Sequence, residues 1–165
     1  MTTTVDLAAA VIVAYNRHDL AAYERLHAPD ARIEFAGAPG DIGLGEWLTI
    51  LARLFAVLPD LTIRPMTVVT DDATAVIEMR QIGTNTGVLA LDDGARMLLG
   101  TDLAQIPPTG RTVDTPGVVV LTVGDGVVTG ERHHWPPHWV FEQLGLVTVS
   151  AVPTGAVPTL AVIRS

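Results

Sequence analysis

The chain changes its hydrophobic period once, near Pro59, and that change limits the folds open to it. Before Pro59 the apolar residues recur at helical spacing. Ala8, Val11, Ile12 and Tyr15 form one stripe, and Trp47, Leu48, Leu51, Leu54, Phe55 and Leu58 form a wider one. From Leu61 onward they fall in β-branched runs separated by turn pairs. Helices first and a meander of strands afterwards predict an α+β fold. A curved, mostly antiparallel sheet would carry the helices on one face.

Finer punctuation divides these halves. Asn16 and Asp19 mark a break and a new N-cap, opening a second helix through Tyr23 and Leu26 that Pro29-Asp30 ends. Arg32 to Phe35 alternates as a strand, and Gly37 to Gly45 reads as a loop. Strands are predicted over 61–70 and 73–83 around Asp71-Asp72, and over 112–123 and 127–134 around Gly124-Asp125-Gly126. Asp92-Asp93-Gly94 reads as a hairpin turn between 88–91 and 96–99, and a last helix over 139–146 is closed by Gly145. This gives one domain over 1–146. The apolar tail 147–165, whose only charge is Arg164, is expected to dock on that domain or on a dimer partner.

Composition removes several chemistries. With 48% hydrophobic and 17% charged residues among 165, the chain can bury a core without staples. It has no cysteine, hence no disulfide framework, thiolate metal site or cysteine nucleophile. All ten basic residues are arginine, so a lysine Schiff base is excluded. A net charge of −8 argues against a nucleic-acid partner. Met1 to Ala10 has no basic start and carries Asp6, unlike a secretory signal, and no apolar run reaches the ~18 residues of a membrane span. The expectation is a cytoplasmic protein without a membrane partner. Gly37 to Gly43 lacks the Lys-Ser/Thr of a phosphate loop, and no Gly-x-Ser-x-Gly elbow is present.

A set of short phrases carries a resemblance. They are Tyr15-Asn16-Arg17-His18-Asp19, Ala28-Pro29-Asp30, Leu58-Pro59-Asp60-Leu61, Gly83-Thr84-Asn85-Thr86-Gly87, Ile106-Pro107-Pro108-Thr109-Gly110-Arg111, Asp125-Gly126 and Gln143-Leu144-Gly145. In that order and spacing the chain resembles the SnoaL-like polyketide cyclases of the nuclear-transport-factor-2-like superfamily. The resemblance implies a cone of curved sheet around the N-terminal helices, with an apolar pocket inside. It also implies an intramolecular aldol cyclisation without metal or cofactor. In that family an acidic residue on the last strand is the general acid/base, and a histidine on the preceding strand assists. Counting without gaps from Asp125-Gly126 and from Gln143-Leu144-Gly145 puts His133 at the acidic position. Anchoring on Trp135-Pro136 puts His134 there instead. The assisting histidine falls at Val119, so both family residues are replaced.

An imidazole still moves protons near neutral pH. On a strand Glu131 and His133 share a face, so Glu131 can orient the ring, whereas His134 points the other way. A metal site built from Glu131, His133, His134 and His138 is disfavoured, because adjacent histidines face apart and Pro136-Pro137 intervenes. The expected catalytic set is therefore His133, Glu131 and His134, with no metal. The expected substrate-binding set is Tyr15, Glu34, Trp47, Phe55, Arg80, Val119 and Trp135. Each has a plainer reading: Tyr15, Trp47 and Phe55 as core, Glu34 as a solvent-facing strand residue, and Arg80 as the partner of Glu78 across one face. Asn85 is expected to be structural, and Asp102 and Asp114 exposed.

Three functions fit these residues. One is a cyclase or isomerase acting on a bulky apolar, polyketide-like intermediate, with epoxide opening by Glu78, Arg80 and Glu131 as a related reaction. Another is a non-catalytic pocket that binds or shapes a small apolar ligand. The third is a dimerisation module with a vestigial pocket. A homodimer is expected in each case, because Val118 to Leu121 is apolar on both faces of its strand.

Overall fold

The computed structural model describes residues 3–35, 40–91, 102, 104–149 and 160–162. It is an α+β fold with a large, mostly antiparallel sheet that does not close into a barrel. The N-terminal half holds α1 (Thr4–Asn16), α2 (Leu20–Arg25), β1 (His27–Phe35), β2 (Ile42–Gly43) and α3 (Leu44–Val57). The second half holds β3 (Thr62–Thr70), β4 (Thr74–Thr84), β5 (Leu89–Ala90), β6 (Gln105–Ile106), β7 (Thr112–Gly124) and β8 (Val127–His134). It ends with α4 (Pro137–Gln143), β9 (Val147–Val149) and β10 (Leu160–Val162). Six strands form the main sheet in the order β2-β1-β8-β7-β4-β3, and only the β1–β8 pair is parallel.

Local chemistry sets the element ends. Thr3 and Asp6 form a reciprocal capping box at the start of α1, and the Asp19 side chain caps α2 by accepting from the Ala22 N–H. Asp125 (φ 52°) and Gly126 (φ 78°) form the two-residue turn that joins β7 to β8. Asn16 holds the end of α1 to β3 by bonding both the N–H and the carbonyl of Ile63.

Several predicted boundaries are displaced. The second helix ends at Arg25 rather than at Pro29-Asp30, and β1 begins at His27. The parallel pairing with β8 slips between His27 and Arg32, so Pro29 lies in an irregular stretch where its missing N–H costs no ladder bond. The last helix starts at Pro137, two residues earlier than predicted. The hairpin expected around Asp92-Asp93-Gly94 and its strand 96–99 lie outside the described residues, and Leu89–Ala90 pairs instead with Gln105–Ile106. In the tail, 147–149 pairs with 160–162 as a ribbon separate from the main sheet.

The core lies between the helices and the inner face of the sheet. Inward positions alternate as Ala75, Ile77 and Met79 on β4, Val113, Val119 and Leu121 on β7, and Val128 on β8, all buried beneath Leu7, Val11 and Leu51. The outer face stays partly apolar, with Val69 and Val76 exposed on β3 and β4. Asn85 is structural, as expected. Its amide donates to the carbonyls of Val57 and Gly87 and accepts from the N–H and hydroxyl of Thr109, tying the end of α3 to a following loop.

Beside this knot a Cβ at Gly87 would lie 1.9 Å from the Ala56 carbonyl oxygen, so only glycine fits there. Gly87→Ala is expected to destabilise the protein by at least ~1–3 kcal/mol, the usual range for overpacking, read as a lowered Tm. An unchanged Tm would show that α3 yields at its C-terminus.

Candidate active site

Burial of one carboxylate organises the site. Glu131 sits on the inner face of β8 with its side chain fully buried. A charge there is tolerated only when surrounded by donors, and three side chains supply them. Tyr23 on α2 donates its hydroxyl hydrogen between the two carboxylate oxygens, at 2.7 and 2.8 Å. His27, the first residue of β1, places Nε2 2.6 Å from Oε1. His133, two residues along β8, places Nε2 2.6 Å from Oε2. Trp47 on α3 donates from Nε1 to the Tyr23 hydroxyl at 3.3 Å, and the Tyr23 and His27 rings stack at 4.5 Å.

Burial alone would push the Glu131 carboxyl up. The hydrogen bonds from His133 and His27 outweigh it and hold the group well below the ordinary carboxylate range. The protons can then be placed. His27 Nδ1 lies 2.7 Å from the Tyr23 carbonyl oxygen, which only accepts, so Nδ1 carries hydrogen. Nε2 faces the Glu131 carboxylate, so the His27 ring is held at both nitrogens inside the protein.

His133 is placed differently. Its Nε2 donates to Glu131, while Nδ1 has no hydrogen-bond partner among the described residues. The ring packs against Trp47 at a centroid distance of 4.7 Å and lines a cavity of about 190 Å³. That cavity lies between α1, α3, α4 and the sheet, with Phe35, Trp47, Leu54, Val113 and Trp135 among its walls. Residues with polar side-chain groups are few in its wall: Tyr15, Gln81, Thr115, His133 and the indoles of Trp47 and Trp135. A second cavity of about 20 Å³, large enough for one water molecule, lies deeper beside Glu131, His133 and Val119.

Strand alternation separates the two adjacent histidines. His133 is 7% exposed and faces inward, whereas His134 is exposed on the outer face. His133 thus belongs to the interior of the sheet, and His134 does not. Of the other expected residues, Tyr15, Trp47 and Trp135 line the main cavity and Val119 the small one. Three do not reach it. Glu34 is exposed, because Ile33 and Phe35 take the inward positions of β1. Arg80 faces outward and pairs with Asp114 on β7, Nε to Oδ1 2.6 Å, rather than with Glu78. Phe55 is core, edge-on to Tyr15 at 5.2 Å and stacked on His18 at 3.9 Å. Asp114 is half-buried by its ion pair and Asp102 is exposed. His138 is also exposed, and no group of three or more potential ligands among the described residues is placed to hold a metal ion.

Sequence reasoning missed Tyr23 and His27. The one signal available was that a carboxylate predicted inward on β8 requires such donors.

The profile of the SnoaL-like domain matches residues 8–131, three quarters of the chain. The chain belongs to the SnoaL-like family. Solved structures share this fold at low identity. IdmH of Streptomyces antibioticus, a proposed polyketide cyclase, is 23% identical, with 86% of this chain and 97% of that one covered at a TM-score of 0.68. A proposed polyketide cyclase of Xanthomonas campestris pv. campestris is 22% identical over 85% and 95%, with a TM-score of 0.68. AclR of Streptomyces galilaeus, a proposed hydroxylase, is 18% identical over 90% and 83%, with a TM-score of 0.69. No curated protein matches the chain in sequence. No helix among the described residues is long and apolar enough to cross a membrane.

The buried carboxylate sets a pH dependence of stability. Glu131 is held below its unfolded value, so its ionisation stabilises the fold at every pH above the unfolded pKa of ~4.3. That contribution is lost as the pH falls through the lower folded value. The stability gap between wild type and Glu131→Gln, measured by urea denaturation from pH 7 to pH 3, is expected to narrow as the pH falls. A constant or widening gap would mean that Glu131 is neutral in the folded protein.

Proposed function

We propose that this SnoaL-like chain is a cyclase or isomerase acting on a bulky, apolar, polyketide-like ketone, with His133 as its general base and acid. The observation that carries the reading is the division of the His133 ring. Nε2 is committed to Glu131, and the ring lines an apolar cavity with no carboxylate and no second imidazole in its wall among the described residues. With Nε2 protonated, the Nδ1 lone pair is free to take a proton from a carbon beside a carbonyl. The imidazolium so formed is stabilised by Glu131 and can return the proton later. Glu131 is a positioning residue, since the histidines and Tyr23 use both its oxygens. At about 190 Å³ the cavity lies below the ~300–1,000 Å³ of ordinary ligand pockets. It encloses the reacting part of a larger substrate.

Epoxide opening loses two of its three expected residues, because Glu78 and Arg80 lie on the outer face. A purely shape-imposing pocket does not call for a titratable ring in its wall, and the cavity has one. The outer face, with Val69, Val76, Val118 and Val120 on three adjacent strands, supports a homodimer formed through the sheet. Sedimentation is expected to give a dimer at micromolar concentration, and a monomer there would remove that proposal.

The chemistry is tested by hydrogen–deuterium exchange at the α-carbon of cyclic ketones in D₂O, beginning with 1-tetralone. His133→Ala is expected to slow exchange by ~10²–10⁴-fold, and Glu131→Gln by less. His134→Ala should match wild type, because it faces away. Wild-type exchange by His133→Ala with an unchanged pH profile would exclude the histidine and leave positioning as the pocket's only contribution.

A further inference from the structure

The inward row of the sheet is apolar along most of its length, and one cross-strand pair in it is not. Gln81 on β4 lies directly opposite Thr115 on β7, and both side chains line the main cavity. Side chains paired in this way stand about 5 Å apart at Cβ. Their inward neighbours are Met79 and Gly83 on β4, and Val113 and Gly117 on β7. Thr115 is 1% exposed, yet its hydroxyl has no hydrogen-bond partner among the described residues. The Gln81 amide makes one long contact, Nε2 donating to the Tyr15 hydroxyl at 3.4 Å, which leaves Oε1 without a donor among the described residues. Burying a hydroxyl or an amide without partners is costly, and valine or leucine would suit this row without that cost. The pair also lies apart from His133. Thr115 is four residues along β7 from Val119, the residue opposite His133, a span of about 13 Å at the usual rise of a strand.

We propose that Gln81 and Thr115 form a subsite for a neutral hydroxyl group of the ligand, at the end of the cavity away from His133. A hydroxyl both donates and accepts, and the pair offers one partner for each. The Thr115 O–H donates to the ligand oxygen, and the ligand O–H donates to Gln81 Oε1. A ligand carbonyl at this place only accepts, and would leave Oε1 unpaired. A carboxylate or phosphate finds no arginine in the cavity wall, among the described residues, to offset its charge. For the identity of the substrate this rests on the reading of the cavity as a ketone site, and it narrows that reading. The substrate is an apolar ketone that carries a hydroxyl remote from its enolisable carbon. Anchoring the remote end decides which carbon of the ligand meets Nδ1 of His133, and positioning of this kind selects one reacting carbon among several.

The probes are 2-naphthol, 2-methoxynaphthalene, whose oxygen only accepts, and 2-methylnaphthalene, which has no oxygen. Their affinities for wild type, Thr115→Val, Thr115→Ser and Gln81→Met are measured by equilibrium dialysis. A wall without partners would favour the hydrocarbon, because the phenol would be stripped of water. Wild type is expected to bind naphthol, relative to methylnaphthalene, ~3–10-fold more tightly than Thr115→Val does, the range of one neutral hydrogen bond. Gln81→Met should lose a similar factor, whereas Thr115→Ser, which keeps the hydroxyl, should keep the wild-type ratio. A merely structural role for the pair would change the affinity for all three probes together and leave the ratio unmoved. No probe is a ketone and no proton transfer enters the measurement, so failure of the ketone reading would leave these ratios as they are. An equal naphthol ratio in wild type and Thr115→Val, or its loss in Thr115→Ser, would overturn the subsite. So would methoxynaphthalene favoured as strongly as naphthol, or wild type that binds none of the three.

Discussion

Enclosure of the Glu131 charge is the constraint on which the rest of the site depends. A buried carboxylate left without partners costs several kcal/mol, so the fold must bring donors from separate elements to one point. They arrive from α2, from the first residue of β1 and from β8 itself. This explains why β1 begins at His27 and tolerates an irregular pairing around Pro29. A helix extended to Pro29 would leave the His27 ring on a helical turn, away from β8. The parallel β1–β8 contact sets the cluster in place by laying Ile33 opposite Glu131 and Phe35 opposite His133.

The same cluster assigns different work to its two imidazoles. Both contact Glu131 at 2.6 Å, yet one is closed on its far side by a backbone carbonyl and the other opens on an apolar wall. The closed ring only holds the carboxylate, whereas the open one also reaches the cavity that the proposed chemistry uses.

Most of the architecture was legible in the sequence, since it follows from periodicity and turn chemistry. The change near Pro59, the Asp19 cap and the Asp125-Gly126 turn each name a boundary by a local mechanism, and the structure obeys them. The inward pairing of Glu131 with His133 was legible for the same reason, since alternation on a strand is a rule of geometry. The donors on Glu131 were not. Tyr23 and His27 lie more than a hundred residues from it, and their meeting depends on how α2 and β1 dock on β8, which no local pattern encodes. Arg80 and Glu34 misled because residue type suggested a pocket, whereas face was decided by the neighbours Met79, Gln81, Ile33 and Phe35.

The irregular pairing inside β8 has a consequence for how this site can change over evolutionary time. Val128 and Glu131 both face inward although three residues apart, because the register with β7 shifts by one residue between them, and from there the strand runs Glu131 in, Arg132 out, His133 in, His134 out. Inserting or deleting one residue between Gly130 and Trp135 would reverse that phase. It would drive a guanidinium and the wrong imidazole into the core and expel the carboxylate that Tyr23 and His27 are built to receive. New chemistry in this lineage can therefore come readily by exchanging residue types at inward positions. Changes of length beyond that shift are closed to it, because a frameshift in space would unmake the interior before any new activity could be selected.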